Sequence, residues 1–355
     1  MADATDRMTQ GPRDELKAFY ERINPLDMAP LWESLHVLVG RQPVCPAAPH
    51  IWRYQQAVRP MLMEAGRLIS AQEAERRVLI LENPAFRGMG SITQSLYAGL
   101  QLVLPGEVAP SHRHTQNALR FILEGEGAHT TVDGEPTVMR RGDLVITPAW
   151  RWHEHVNETD RPMVWLDALD IPLVNFLSAS FAEPGSPDAV APTRPPGDSH
   201  MRYGANLAPV DWVGSSKSSP IFNYPYARSR ETLDWMRHHE PPDAAHGHKL
   251  RYVNPASGGH VTPTMAAFVQ LLPAGFKTSL YRSTDSTIFA VVEGEGETSI
   301  GDRTFTWSAG DVFVAPSWLA CTHAAVTEAV LFSVSDRPVQ EVLGLWREAR
   351  AKPME

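Results

Sequence analysis

The sequence predicts an all-β fold class: two β-barrel or jelly-roll domains in one chain, preceded by helical arms. Three observations carry this. Short apolar segments separated by Gly, Pro and Asp turns run from Gln94 onward, the signature of barrels and double-sheet rolls. Two motif groups recur roughly 170 residues apart, so one domain is present twice. Helical periodicity is concentrated at the N-terminal end. At 355 residues and 43% hydrophobic, the chain is long enough for two cores.

In chain order, Leu16, Phe19, Tyr20 and Ile23 fall at helical spacing within Arg13 to Ile23, and Leu31, Trp32, Leu35 and Leu38 repeat it before Gly40, so both segments read as packing arms. Gln42 to His50 is a Pro-rich loop, and Trp52 to Ile69 a helical region interrupted at Pro60. Ser70-Ala-Gln-Glu73 has capping-box spacing, which starts a short helix. Arg77 to Glu82 reads as a strand leading to the barrel. The strands of the first barrel are expected over Leu96 to Leu104, Arg120 to Glu124, Ala128 to Val132, Asp143 to Thr147, His153 to Asn157 and Met163 to Asp170. Glu183 to Arg202 has linker composition, Arg230 to His238 a helical pattern, and strands resume from about Phe268.

The repeat sets the domains. Glu124-Gly-Glu-Gly127 recurs as Glu293-Gly-Glu-Gly296, and Gly142-Asp143 with Pro148 and Trp150 recurs as Gly310-Asp311 with Pro316 and Trp318. The expected organisation is a helical arm region over 1–94, a first barrel over 95–182, a linker with a helix over 183–245, a second barrel over 246–340 and a C-terminal helix or tail over 341–355.

A net charge of -9 argues against nucleic acid or an anionic membrane as the main partner, since both reward clustered Lys and Arg. Two cysteines, Cys45 and Cys321, and a polar start from Met1 to Arg13 give no disulfide framework or export signal, and no apolar run spans a bilayer. A cytoplasmic protein is expected.

The chemistry is concentrated between Gly106 and Asn157. His112 and His114 stand one residue apart on a predicted strand and point the same way. His153, after the Gly142-Asp143 turn, completes a triangular ligand face with positions left open. Neutral imidazoles suit iron, zinc, copper or nickel, and the ligands alone do not choose among them. Continued strand parity turns Gln116, Arg120 and Ile122 inward, unless a turn at Thr115 to Asn117 breaks the register. Arg120 inside a barrel needs an anion, either a substrate carboxylate or a barrel carboxylate such as Asp167. His155 shares parity with His153, and Asp167 shares a face with Met163 and Trp165, so both can orient a ligand or a substrate hydroxyl. The second copy places Tyr281, Ser283 and Cys321 where the first has its histidines. It is expected to be a structural partner, and Cys321 with nearby His323 a buried thiol.

Gly106, His112, His114, Gly142, Pro148, His153 and Asn157 resemble the two motifs of the cupin superfamily. The chain departs from them at Asn117-Ala-Leu119, where the first motif usually has a Glu, and at Trp150, where the second usually has a Gly. Without that Glu as a fourth ligand, a manganese oxalate decarboxylase or oxidase is disfavoured. The segment His112 to Gly125, the double-cupin layout and Leu96 to Gln101 resemble gentisate 1,2-dioxygenase and its relatives acting on salicylate and 1-hydroxy-2-naphthoate. The resemblance implies iron(II) held by His112, His114 and His153. It also implies substrate contacts at Tyr97, Gly99, Arg120, His155, Asp167 and one of Arg76 and Arg77, and a homotetramer. The implied reaction is ring cleavage between the carboxyl- and hydroxyl-bearing carbons, gentisate and dioxygen giving maleylpyruvate. Arg120 would anchor the carboxylate, with Gln116 beside it, and His155 and Asp167 would steer protons. Two rivals share the fold: a non-oxidative metal-dependent isomerase or lyase, and a binding protein without a redox metal.

Overall fold

The computed structural model describes residues 10–212 and 217–351. The chain divides into two compact units, Met1–Val44 and Cys45–Glu355. The first is a helical hairpin, Gln10–Ile23 and Leu31–Leu38, joined through the turn Asn24–Leu26. Phe19 stacks on Trp32 with ring centroids 6.4 Å apart. The Trp32 indole donates to Tyr20 Oη at 2.8 Å, and that hydroxyl donates to Glu33 at 2.6 Å. These contacts use one face, so Leu31, Leu35 and Leu38 remain exposed.

The second unit holds two barrels of matching design. In the front barrel a six-stranded sheet runs Asn223–Tyr224, Leu144–Thr147, Ala118–Glu124, Met163–Leu169, Tyr97–Val103, Val78–Ile80. It faces a five-stranded sheet in the order Ala182–Pro184, Val108–His114, His153–Val156, His129–Val132, Glu135–Val138. The rear barrel repeats both orders with His50–Trp52, Val312–Ala315, Thr287–Glu293, Ala329–Ser335, Ala266–Leu272, His248–Arg251, and with Glu348–Arg350, Tyr281–Ser283, Cys321–Ala325, Glu295–Ile300, Arg303–Ser308. Alternation along each strand separates two cores. Leu119 and Phe121 face outward into the core shared by the barrels, where Phe121 stacks on Phe332 at 4.0 Å. Ile122 turns inward with Val145, Met163 and Trp165.

Several boundaries differ from the expectation. The separate helical unit ends at Val44 rather than near residue 94, because His50–Trp52 and Val78–Ile80 are strands of the rear and front barrels. Strands of the rear barrel resume at His248, inside the expected bounds of 246–340, rather than at about Phe268, and the expected C-terminal helix or tail over 341–355 carries the strand Glu348–Arg350 after the helix Arg337–Val342. All four are edge strands of three or four residues; Val78–Ile80 falls within the strand expected over Arg77 to Glu82, and the other three are too short for an alternating pattern to show. The capping box at Ser70 is formed as expected, its hydroxyl accepting from Glu73 N.

The repeated Gly-Asp and Glu-Gly pairs bind the barrels to each other. Asp143 accepts Tyr226 N at 2.9 Å while the Tyr226 hydroxyl donates to Glu293 of the rear barrel. Asp311 accepts Tyr54 N at 2.9 Å while the Tyr54 hydroxyl donates to Glu124 of the front barrel at 2.8 Å. Arg59 and Arg230 pair with the same two glutamates. Gly142 and Gly310 have φ of +86° and +94°, and a Cβ on either would run into the ring of its clasping tyrosine.

Candidate metal centre and substrate pocket

Pro110 lacks an N–H, and the ladder between Val108–His114 and His153–Val156 shifts register between Ala109 and His112. The shift sets His112 opposite His153. The three rings converge, with centroids 4.1 Å apart for His112 and His153, 5.2 Å for His112 and His114 and 5.0 Å for His114 and His153. Their ligating nitrogens lie within 4.8 Å of one another, the one such group of three or more His, Cys, Asp or Glu among the described residues. His114 Nδ1 donates to Gln116 O and His153 Nδ1 to Arg151 O, both at 2.9 Å, which leaves the Nε2 lone pairs for a metal. His153 Nε2 is buried with no hydrogen-bond partner, an orphaned acceptor that a metal would satisfy. The donor set therefore fits a bound cation.

Electrostatics keep these donors neutral. Burial, then guanidinium charge (Arg76 and Arg120 for His112 and His155, Arg120 for His153) and the neighbouring rings, holds His112, His153 and His155 well below the ordinary imidazole range, and burial with Arg120 brings His114 down to about 4. A neutral imidazole is the form that ligates.

Trp150, where a Gly is usual, has φ of +62°, a conformation that costs a bulky residue about 1–2 kcal/mol. Two contacts offset it. Trp150 N donates to His114 O at 2.7 Å, and the Arg113 guanidinium lies 4.4 Å from the Trp150 ring and 4.6 Å from the Trp152 ring. The turn is thus tied to the strand that carries two of the three candidate ligands. Asn117, in the region where the motif has its Glu, bonds Asp170, Thr264 and Ala149 N.

Beside the histidines, one row of the six-stranded sheet brings Gly99, Asp167 and Arg120 together, Asp167 pairing with Gly99 on one side and Arg120 on the other. Arg120 Nε lies 3.1 Å from Asp167 Oδ1, although neither atom makes an aligned hydrogen bond. Trp165 Nε1 donates to Asp167 Oδ2 at 3.1 Å, and Arg120 Nη1 donates to Thr147. Burial opposes both charges and their mutual attraction offsets it in part; the guanidinium keeps its proton. The anion that Arg120 requires is therefore supplied in part by the chain itself. A Cβ at Gly99 would meet Val78 Cγ1 and lie 2.8 Å from the Tyr97 hydroxyl, so only glycine leaves Tyr97 its place.

The two candidate arginines part company. Arg76 contacts His112 Nδ1 and donates to Pro110 O at 2.5 Å; burial lowers its pKa to about 10, and among the described residues it has no carboxylate partner. Arg77 turns away and pairs with Glu107. Gln116 is likewise not brought to the pocket: the strand stops at His114, and its side chain donates to Ser180 at 2.9 Å while its carbonyl holds His114. The turn at Thr115 to Asn117 breaks the register there, and the strand Ala118–Glu124 resumes with Arg120 again inward.

His155 stands 5.9 Å from His153, centroid to centroid. Its Nδ1 is 2.8 Å from Thr130 Oγ1, whose own hydrogen goes to Met139 Sδ at 3.3 Å. Thr130 must then accept, so the hydrogen-bond network places the His155 proton on Nδ1 and leaves the unpartnered, buried Nε2 as a base. Thr130 and Met139 were not singled out from the sequence; only their spatial position beside His155 gives them this role.

A cupin domain model matches residues 99–169. Gentisate 1,2 dioxygenase 1 of Aquipseudomonas alcaligenes is 56% identical over 336 residues, covering 95% of this chain and 96% of that protein. The chain belongs to the gentisate 1,2-dioxygenase family. The family also reaches 5-aminosalicylate 1,2-dioxygenase of Comamonas sp., 37% identical with 94% and 90% coverage. The solved structure of salicylate 1,2-dioxygenase from Pseudoaminobacter salicylatoxidans, as an adduct with gentisate, superposes with a TM-score of 0.90 at 35% identity, covering 98% of this chain and 97% of that one. This chain is thus a double-cupin, ring-cleaving dioxygenase. No helix among its described residues is long and apolar enough to cross a membrane.

Proposed function

We propose that this enzyme opens the ring of gentisate with dioxygen, giving maleylpyruvate, at an iron(II) centre on His112, His114 and His153. The observation that carries the reading is the pair of unpartnered imidazole nitrogens, His153 Nε2 and His155 Nε2, beside the two guanidiniums of Arg76 and Arg120. Iron(II), when bound, supplies electron transfer to dioxygen and open positions for a chelating substrate.

The chain's own groups account for the remaining steps. Arg76, without a carboxylate partner among the described residues, pairs the substrate carboxylate, and Arg120 adds positive charge while Asp167 fixes its orientation. His155 Nε2, neutral and held in place by Thr130, accepts a hydrogen bond from the hydroxyl next to that carboxylate. Gly99 and Tyr97 set the wall against which the ring lies. Gln116 and Arg77 hold ligand and scaffold rather than substrate. We further propose a cytoplasmic homotetramer; the exposed Leu31, Leu35 and Leu38 are apolar surface of the kind subunit contacts cover, and analytical ultracentrifugation counts the subunits.

The test is oxygen uptake by iron(II)-loaded protein with gentisate, salicylate and 1-hydroxy-2-naphthoate, with ring loss followed by absorbance. Equimolar consumption of gentisate and oxygen is expected. Gentisate turnover without oxygen uptake would support the isomerase or lyase reading, and faster turnover of either other acid would reassign the substrate.

A further inference from the structure

The rear barrel holds a cavity of about 430 Å³ that opens to solvent, within the size range of small-molecule sites, about 300–1,000 Å³. Nothing in the ring-cleaving reaction uses it. Its lining includes Lys249, Phe268, Gln270, Asp285 and Phe289. Lys249 pairs with Gln270 across the sheet, the position that Val78 holds opposite Gln101 in the front barrel, so a cation stands where the other copy has an apolar side chain.

Two groups in this cavity lack polar partners, the part-exposed Lys249 and the buried Gln270. Among the described residues no carboxylate lies within ion-pairing distance of Lys249; its ammonium rests 4.9 Å from the Phe268 ring centroid. The neighbouring cations differ, since Arg350 pairs with Asp243 at 3.0 Å and Arg337 with Glu341 at 2.6 Å. Gln270 is 1% exposed and its Nε2 has no hydrogen-bond partner. Burial draws the Lys249 ammonium down to about 8, a penalty that a bound anion would offset. Asp285 on the same wall, accepting from Trp346 Nε1 at 2.9 Å, limits the favourable guest charge to one.

We propose that the rear cavity is a second binding site, for a small monocarboxylate of benzoate size, with Lys249 Nζ as counter-charge, Gln270 Nε2 as donor and Phe268 and Phe289 as ring contacts. The site is independent of the metal centre, and its fate does not depend on which acid the front barrel cleaves.

Isothermal titration of the full-length, iron-loaded protein with benzoate tests it, with His153→Ala used to remove metal chelation from the front site and the rear substitutions used to locate the benzoate. Benzoate binding should persist in His153→Ala, weaken roughly tenfold or more when Lys249→Met or Gln270→Leu is added, and be absent with benzamide, the neutral isostere. The benzamide arm needs no further variant, so a misfolded Lys249→Met does not remove the test. No binding in His153→Ala up to about 10 mM benzoate, binding unchanged by both rear substitutions, or equal binding of benzamide would each overturn the proposal.

Discussion

The two barrels share a frame and differ in what they turn inward. The frame includes the Gly-Asp turns at Gly142 and Gly310, the tyrosines that clasp them, and the left-handed tryptophans Trp150 and Trp318, whose amides donate to His114 O and Ser283 O, each at 2.7 Å. The inward row differs: Gly99, Arg120 and Asp167 in front correspond by register to Phe268, Phe289 and Ser333 behind. Even the shared Thr–His pair is wired differently. In front, Thr130 donates to Met139 and must accept from His155 Nδ1. Behind, Trp307 donates to Thr298 at 2.8 Å, so the Thr298 hydroxyl hydrogen is not drawn to a thioether and is free to point at His323 Nδ1, 2.8 Å away, while His323 Nε2 lies 3.8 Å from Cys321 Sγ. Changing one partner of the hydroxyl thus lifts the constraint that sets the tautomer in front. Burial also pushes the Cys321 thiol up to about 12, so it stays protonated and is a poor metal ligand.

The largest effect should come from moving the rear row forward. Arg120→Ala strands Asp167 in a buried site and should cost about 3–5 kcal/mol in urea unfolding. Arg120→Phe with Asp167→Ser, the rear pair of residues, should recover much of that stability yet leave turnover about 100-fold or more below wild type. Wild-type turnover in the double variant would remove the pair from the site. Next, Gly99→Ala should lower kcat/KM about tenfold, because the new methyl displaces Tyr97; adding Tyr97→Phe removes the hydroxyl it meets, and a double variant no better than Gly99→Ala would place the clash at Val78 alone.

A third comparison concerns charge. Lys249 faces Asp285, which favours its charge, and Arg337 and Arg350, which oppose it. Its folded pKa of about 8 lies below the ordinary 10.5, so the folded chain binds fewer protons between these values and wild-type stability rises across that interval. Lys249→Met should therefore melt about 2 °C higher than wild type at pH 7, the gain fading between pH 8 and pH 10.5. A gain that does not change with pH would mean packing, not charge, is responsible. The smallest effect tests the shared frame: Tyr54→Phe and Tyr226→Phe should each cost about 1 kcal/mol in urea unfolding, with turnover kept.

Much of this difference could be read in the residues. The repeat located both barrels, and the parity of His112 with His114, joined by His153, located the three converging rings because a side-chain period of two survives within one strand. Parity failed at Gln116, where the strand ends, yet served for Arg120 because the next strand resumes in phase. Arg76 and Arg77 could not be separated, since their orientation depends on Glu107 and Pro110, some 30 residues away in sequence. The exchange of Tyr54 and Tyr226 between barrels, and the cavity around Lys249, rest on pairings of distant segments that no local pattern encodes.

The central claim is that one barrel holds a metal and the other does not. Iron(II) titration of metal-free protein, with bound metal counted by elemental analysis, tests it directly. The account predicts one ion per chain, lost in His112→Ala and His153→Ala and unchanged in Cys321→Ala and His323→Ala. Two ions per chain, or one that survives His153→Ala and disappears with Cys321→Ala, would contradict it.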